Sequence, residues 1–454
     1  MAAYDLIAIG GGAGGLSAVR SARWAGRSAA LVTDGEPGGD CTFTGCVPSK
    51  ALLSVAGRGG SFAEAMAHVH KSIDVIAATE TMAVLRADGV DVYDGRASFV
   101  DATTVDVDGT QLRADRIVIA TGARPAMPPI PGLDQIDVLT NETVFDLDTA
   151  PASMIVVGGG PVGCELSQAM ARLGVQVTLI EALDRVLSTE EPDASRVVQA
   201  ALEADGVQVQ LGAMGSTVVS IDGAVELTTP QGVTTRAERL LMAAGRVPVT
   251  DGLGLHDVGV ALDDRGHIVV DEHLRTSVDG VYAVGDVTGR MPFTHGADEM
   301  GRLAAGHALR VHPRWAFRPE AVPFAVFTDP EVARVGVTEA EAAALGGRVA
   351  ELPMSEFDRG IVEDRTEGFI KIITGPRRVT RHWLGGRVIG ATVVGPRAGE
   401  LINELALAVR TGMFTARLAT TVHAYPTWGM AIPQTATQFL RPLGGREARP
   451  ARRR

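Results

Sequence analysis

Cysteine, aromatic residues and positive charge are all scarce in this chain. With 3 Cys in 454 residues, it lacks the cysteine density of a disulfide-stapled secreted scaffold, and no Cys/His cluster has the spacing of a structural zinc site. The start, Met1-Ala2-Ala3-Tyr4, runs into an apolar strand without the basic stretch and cleavage site of a secretory leader, so a cytoplasmic protein is expected. The formal net charge of −12 argues against nucleic acids and anionic membranes as partners. No apolar run is long enough to cross a bilayer. Aromatic residues make up only 4%, yet hydrophobic residues reach 46%, enough to fill α/β cores with Ala, Val, Leu and Ile. The length suits roughly three domains.

Two of the cysteines stand together in Gly38-Gly39-Asp40-Cys41-Thr42-Phe43-Thr44-Gly45-Cys46-Val47-Pro48-Ser49-Lys50. Five positions apart in an ideal helix means about 7.5 Å along the axis, too far for an S–S bond. The backbone must therefore bend. Gly45 supplies the freedom before Cys46, and Pro48 fits the first turn of a helix continuing through Leu53. With no third and fourth ligand for a metal, the segment reads as a redox-active disulfide, Cys41 with Cys46. The third cysteine, Cys164, reads as a small buried thiol.

Glycine is where the chain is generous. An apolar strand (Tyr4 to Ile9) leads into Gly10-Gly11-Gly12-Ala13-Gly14-Gly15 and a helix near Leu16 to Trp24. A second strand (Ser153 to Val157) leads into Gly158-Gly159-Gly160-Pro161-Val162-Gly163 and a helix to Leu173. A lone G-x-G-x-x-G is a weak signal, but each copy lies between a strand and a helix and is followed by another strand. Gly10 and Gly158 permit the tight turn, Gly12 and Gly160 let a pyrophosphate approach, and Gly15 and Gly163 allow helix–strand packing. Glu181, ending the strand after the second copy, is suited to the ribose hydroxyls of NADH and repels the 2′-phosphate of NADPH, although Arg185 lies nearby. In the first copy the corresponding acid is Asp34, one place later than expected.

Two more strands close on cofactor-like turns, one at Thr121-Gly122 and one at Gly285-Asp286. An acid at a strand's carboxyl end can hold a sugar or ribityl hydroxyl. Helical periodicity returns over 61–85, and alternation from Val90 to Asp115 suggests a small antiparallel sheet. After about residue 320 the pattern becomes α+β, with strands near Ala325 to Thr328, Phe369 to Thr374 and Arg387 to Val394, and helices near Thr338 to Leu345 and Ala398 to Thr411. The Arg-rich end, Gly444 to Arg454, reads as a frayed, solvated terminus.

With the cysteine segment, both glycine motifs and Gly285-Asp286 in place, the chain resembles the class I pyridine nucleotide-disulfide oxidoreductases, from Tyr4 to about Gln438. The fold class implied is α/β, with two Rossmann-like dinucleotide-binding domains plus a C-terminal α+β dimerisation domain. The resemblance divides the chain into an FAD-binding domain at 1–148 and 272–318, an NAD(P)-binding domain at 149–271, and a dimerisation domain with a basic tail at 319–454. It implies a homodimer using FAD and NADH, less readily NADPH. Cys46 matches the thiol next to the flavin and Cys41 the thiol that exchanges with substrate. Lys50 and Glu165 match a pair beside the flavin N5, and Gly245-Arg246 a junction at the nicotinamide nucleotide domain.

The chain departs from the family at Val422-His423-Ala424-Tyr425-Pro426-Thr427-Trp428-Gly429-Met430. Disulfide reductases of this family usually carry His before that Pro and Glu five positions after the His; here those places hold Tyr425 and Met430. A phenol is a poor base at neutral pH. Either His423 stands in from two residues upstream, or Tyr425 replaces the imidazole because the acceptor needs no thiol acid–base chemistry. Mercuric reductase-like members similarly show Tyr here, but their C-terminal cysteine pair is missing. The acceptor stays open among a small-molecule disulfide, a metal ion and a quinone, as does the reading of a redox sensor whose catalysis has decayed. Asp40 adds negative charge beside Cys41 and is expected to raise its pKa unless that charge is paired.

Overall fold

The computed structural model describes residues 2–311, 315–377 and 379–453. Short aliphatic runs, buried on both faces, form the first parallel sheet, as expected where helices cover both sides. Its order is Val281–Ala283, Ile117–Ile119, Leu6–Ile9, Ala29–Thr33, Asp91–Asp94, with Ile7 in register with both Ala30 and Ile117. Helix Ala13–Trp24 packs against helix Thr294–Ala308, closely enough that a Cβ on Gly301 would fall 2.2 Å from the Gly14 carbonyl oxygen. A segment returning some 280 positions later therefore completes the first nucleotide fold, and it carries Thr294 to the cysteine segment.

The second parallel sheet runs Val138–Leu139, Arg239–Met242, Ser153–Val157, Gln176–Ile180, Gln208–Gln210. The third sheet is antiparallel, in the order Phe324–Val326, Glu331–Gly336, Arg387–Gly395, Phe369–Gly375, Arg348–Pro353, Arg449–Pro450. Helix Ala398–Thr411 buries Ile402, Leu405 and Val409 in the same core as that sheet. Among the described residues no helix is long and apolar enough to cross a membrane.

One local expectation holds in two parts, and two need correction. The stretch 61–85 forms two helices, Phe62–Ala77 and Met82–Ala87, because Thr81 starts the second by accepting a hydrogen bond from Val84 N. Alternation from Val90 to Asp115 does not make one antiparallel sheet. Asp91–Asp94 joins the first parallel sheet beside Ala29–Thr33, and only Ala97–Asp101, Thr104–Val107 and Thr110–Ala114 pair antiparallel.

The basic end is held by the fold as far as Arg452, whose N donates to Glu339 at 3.2 Å. Arg449 and Pro450 pair with Val349 and Arg348, and the Arg449 guanidinium grips the buried carboxylate of Glu339. Lys371, fully buried, meets the same carboxylate at 3.1 Å and lies within 3.6 Å of Glu191, Asp193 and Glu351. Sequence alone reads Gly444 to Arg454 as solvated because its counter-charges lie about a hundred positions upstream. Glu191 and Asp193 belong to the segment after the second glycine helix, so the cluster joins the unit of the second parallel sheet to the antiparallel sheet.

Candidate active site

The two glycine loops have the same shape. Gly10 and Gly158 adopt φ of 114° and 113°, and a Cβ on Gly15 or Gly163 would fall 1.9 or 1.8 Å from the carbonyl oxygen of Gly10 or Gly158. Only glycine fits those places. A Cβ on Gly12 or Gly160 would meet nothing: those positions face open space at the start of a helix whose first N–H groups have no side-chain cap. Each loop is thus a cradle that fits a pyrophosphate at a helix N-terminus.

The acids after these loops differ. Glu181 accepts from Gly159 N at 2.5 Å and Leu183 N at 2.8 Å, so it is fixed against the second loop. Asp34 turns away and pairs with exposed Arg96 at 2.8 Å. The side chain facing Gly11, as Glu181 faces Gly159, is Thr33. Counting from the strand end would have found it.

Thr121 and Gly122 lie where the two nucleotide units meet. Thr121 Oγ1 donates to the Val249 carbonyl at 2.6 Å, and Gly122 O accepts from Val249 N. Gly245 O accepts from Ala126 N, next to the pairing of Ala123–Pro125 with Arg246–Pro248. Gly285, at φ 76°, turns the chain so that Asp286 faces Arg246, 3.5 Å from its Nε.

The cysteine segment bends at Gly45. Helix Gly39–Phe43 stops, and a new helix begins at Cys46 with Pro48 in its first turn. A Cβ on Gly45 would lie 2.8 Å from the Asp40 carbonyl oxygen. The bend brings the sulfurs together as a hydrogen-bonded pair of free thiols. The bond from Cys41 lowers the Cys46 pKa to about 6, helped by Thr294 and the Lys50 cation. The same bond and burial push Cys41 well up. Cys46 is thus the more readily ionised of the two thiols.

Thr294 is a site residue that sequence reasoning missed. Its Oγ1 lies 3.3 Å from Cys46 Sγ, at the first residue of the 15-residue helix Thr294–Ala308, an end that favours a thiolate. His295 instead packs on Phe293 and hydrogen-bonds to the Pro323 carbonyl at 2.5 Å.

Four positions beyond Cys46, one helical turn, Lys50 Nζ meets Glu165 Oε2 at 2.8 Å and lies 4.7 Å from the centre of the Phe327 ring. Glu165 is buried and also accepts from Phe327 N at 2.9 Å. The cation is therefore oriented by a carboxylate that is itself fixed. Cys164, next to Glu165, is buried and donates to the Gly159 carbonyl; burial raises its pKa.

Both ring nitrogens of His423 are taken: Nε2 lies 2.9 Å from Glu404 and Nδ1 3.0 Å from the Thr421 carbonyl. Burial alone would lower its pKa, but Glu404 and that carbonyl outweigh it and raise it. Tyr425 is 70% exposed. Neither residue meets the cysteines of its own chain.

A dithiol next to one of two pyrophosphate cradles, with a lysine–carboxylate pair a turn away, defines a flavin-linked oxidoreductase that exchanges electrons through sulfur. The chain belongs to the pyridine nucleotide-disulphide oxidoreductases: residues 4–301 match that family's model and residues 322–436 match its dimerisation domain. It is 34% identical to the dihydrolipoyl dehydrogenase of Haloferax volcanii over 467 aligned positions, 96% of each chain. It is 36% identical to the mercuric reductase of Streptomyces lividans over 465, again 96% of each. Among solved structures it is similar to the Cu(II) complex of the HOCl-induced flavoprotein disulfide reductase RclA from Escherichia coli, with a TM-score of 0.88, 27% identity and coverage of 96% of this chain and 99% of that one. LpdA from Mycobacterium tuberculosis matches at a TM-score of 0.86 with 31% identity and the same coverage. The protein is a FAD-dependent oxidoreductase of this family that uses a pyridine nucleotide.

Proposed function

We propose that the enzyme works as a homodimer, takes electrons from NADH in preference to NADPH, and passes them through FAD and the Cys41/Cys46 pair to a small-molecule disulfide. The observation that carries the thiol route is the cluster of Cys46, Thr294, Lys50 and Glu165. Bound FAD supplies a two-electron carrier between the nicotinamide and the thiols. The first loop, with Gly10, Gly12 and Gly15, would hold its pyrophosphate and Asp286 its ribityl chain. The second, with Gly158, Gly160 and Gly163, would hold the nicotinamide nucleotide. Lys50, oriented by Glu165, would stabilise negative charge on the cofactor, Cys46 would be the thiol on the cofactor side, and Cys41 would exchange with the acceptor. The NADH preference is supported by Glu181 fixed at the second loop, while Arg185 is occupied by the Ser188 carbonyl at 2.6 Å and by Asp184.

A second reading concerns the acceptor alone. With His423 held by Glu404 and Tyr425 in the usual place of the histidine, that segment offers Cys41 no free imidazole, which favours a quinone or metal ion. Steady-state rates with lipoamide, glutathione disulfide, Hg(II), Cu(II) and quinones separate the readings when run on wild type and Cys41→Ser. Disulfide turnover that vanishes in Cys41→Ser supports the first reading; quinone turnover that survives in it supports the second. An anaerobic NADH titration should produce a long-wavelength thiolate-to-flavin charge-transfer band. Its absence with FAD bound would overturn the route through Cys46.

A further inference from the structure

Asp40 and Asp286 reach one place from distant parts of the chain. Gly38 N donates to the Gly11 carbonyl at 2.9 Å, and a Cβ on Gly39 would lie 2.8 Å from Gly12 Cα. The backbone carrying Asp40 therefore rests on the first glycine loop, where a pyrophosphate would sit. Asp286 is the acid at the strand end in the same unit. Burial raises its pKa, Arg246 opposes that rise, and Asp40 adds to it, so the two carboxylates repel each other. A pyrophosphate brought to the loop adds further negative charge to the same neighbourhood.

Among the described residues one guanidinium spans both acids. Arg246 Nη2 donates to Asp40 and to the Ala123 carbonyl, and its Nε lies 3.5 Å from Asp286. The family resemblance puts Arg246 at a junction of the nicotinamide nucleotide domain. Its strand, Arg246–Pro248, pairs instead with Ala123–Pro125, just beyond the first sheet's Ile117–Ile119. A planar, permanently charged fork suits a place between two carboxylates.

We propose that Arg246 belongs to the FAD site, as the counter-cation that lets an acid at position 40 stand next to the FAD pyrophosphate. Its bond to Asp40 also ties the Cys41 helix to the junction between the nucleotide units. The proposal rests on FAD occupying the first loop and not on the identity of the acceptor. It follows that the cost of losing Arg246 depends on the residue at position 40, which an ordinary nicotinamide-binding arginine would not show.

The test is FAD affinity of the full-length chain, measured by quenching of FAD fluorescence, for Arg246→Gln, Asp40→Asn and the double variant. Arg246→Gln should weaken FAD binding at least tenfold and Asp40→Asn by no more than threefold. The double variant should return to within threefold of Asp40→Asn. The Kd for NADH, read on protein saturated with FAD, should change less than twofold in each. FAD binding by Arg246→Gln within threefold of wild type, losses that simply multiply in the double variant, or a tenfold rise in the NADH Kd alone would overturn the proposal. Should Arg246→Gln not fold, Arg246→Lys keeps the charge and loses the fork. It should weaken FAD binding measurably with Asp40 present and not with Asn there, and equal effects in the two backgrounds would overturn the proposal.

Discussion

Thr294 Oγ1 lies 3.3 Å from Cys46 Sγ, although 248 positions separate them in sequence. As a donor the hydroxyl stabilises a negative sulfur, so it favours thiolate over thiol at Cys46. Thr294→Val should raise the Cys46 pKa from about 6 by about one unit, since a hydrogen bond to a charged group contributes ~1.5–3 kcal/mol and one unit equals about 1.4 kcal/mol. The pH dependence of iodoacetamide alkylation at Cys46 in the reduced enzyme reads the midpoint, and Thr294→Ser should restore it. An unshifted midpoint in the valine variant would remove Thr294 from the site.

Lys50 and Glu165 form a pair in which the carboxylate is buried and the cation half-buried. Lys50→Met keeps the stem and removes the charge, and should slow flavin reduction by NADH about 10²–10³-fold, the usual cost of one preorganised charge-stabilising group. Stopped-flow absorbance of the flavin measures this directly. A rate within threefold of wild type would mean that Lys50 serves only the fold.

His423 and Tyr425 make separate demands. His423→Ala removes the partner of Glu404 at 2.9 Å and should lower stability modestly, about 1 kcal/mol for a partly exposed pair, while leaving turnover intact. Tyr425→His with Met430→Glu restores the residue types usual in this family. That double variant should raise lipoamide turnover at least tenfold, because positioned acid–base catalysis contributes about 10²–10⁴-fold. Loss of turnover in His423→Ala would instead make His423 the working base.

Glu339 is held at about 2, below its ordinary 4.5: burial acts to raise it, but Arg449 and Lys371 outweigh burial. A carboxyl depressed in the fold stabilises fully above its ordinary pKa, and that contribution is lost as pH falls from about 4.5 towards 2. Arg449→Ala weakens the hold, so acid unfolding, followed by circular dichroism, should begin at a higher pH and the melting temperature at pH 7 should fall. Truncation after Gly444 should do the same. An acid transition identical to wild type would show the tail to be a passenger.

The glycine loops, the cysteine bend and Lys50 were legible in the sequence because each depends on neighbours within a few residues. Gly45 must bend wherever the segment lies, and Gly15 must be small because Gly10 is always five positions away. Even Glu181 follows from counting along a strand. Asp34 shows the limit: one residue of uncertainty at the strand end puts the acid on Arg96 and leaves Thr33 facing the loop.

By itself, then, the sequence determined the family, the two nucleotide cradles and the flavin side of the thiol pair, since local backbone geometry and short spacings dictate them. Only the tertiary structure decided that Thr294 supports Cys46, that Arg246 stands between Asp40 and Asp286, that Glu404 occupies His423, and that Arg449 closes a cluster around Lys371. These are long-range charge and hydrogen-bond pairings. A buried or crowded charge takes whichever partner the packed sheets bring to it, and no spacing along the chain announces which one that is.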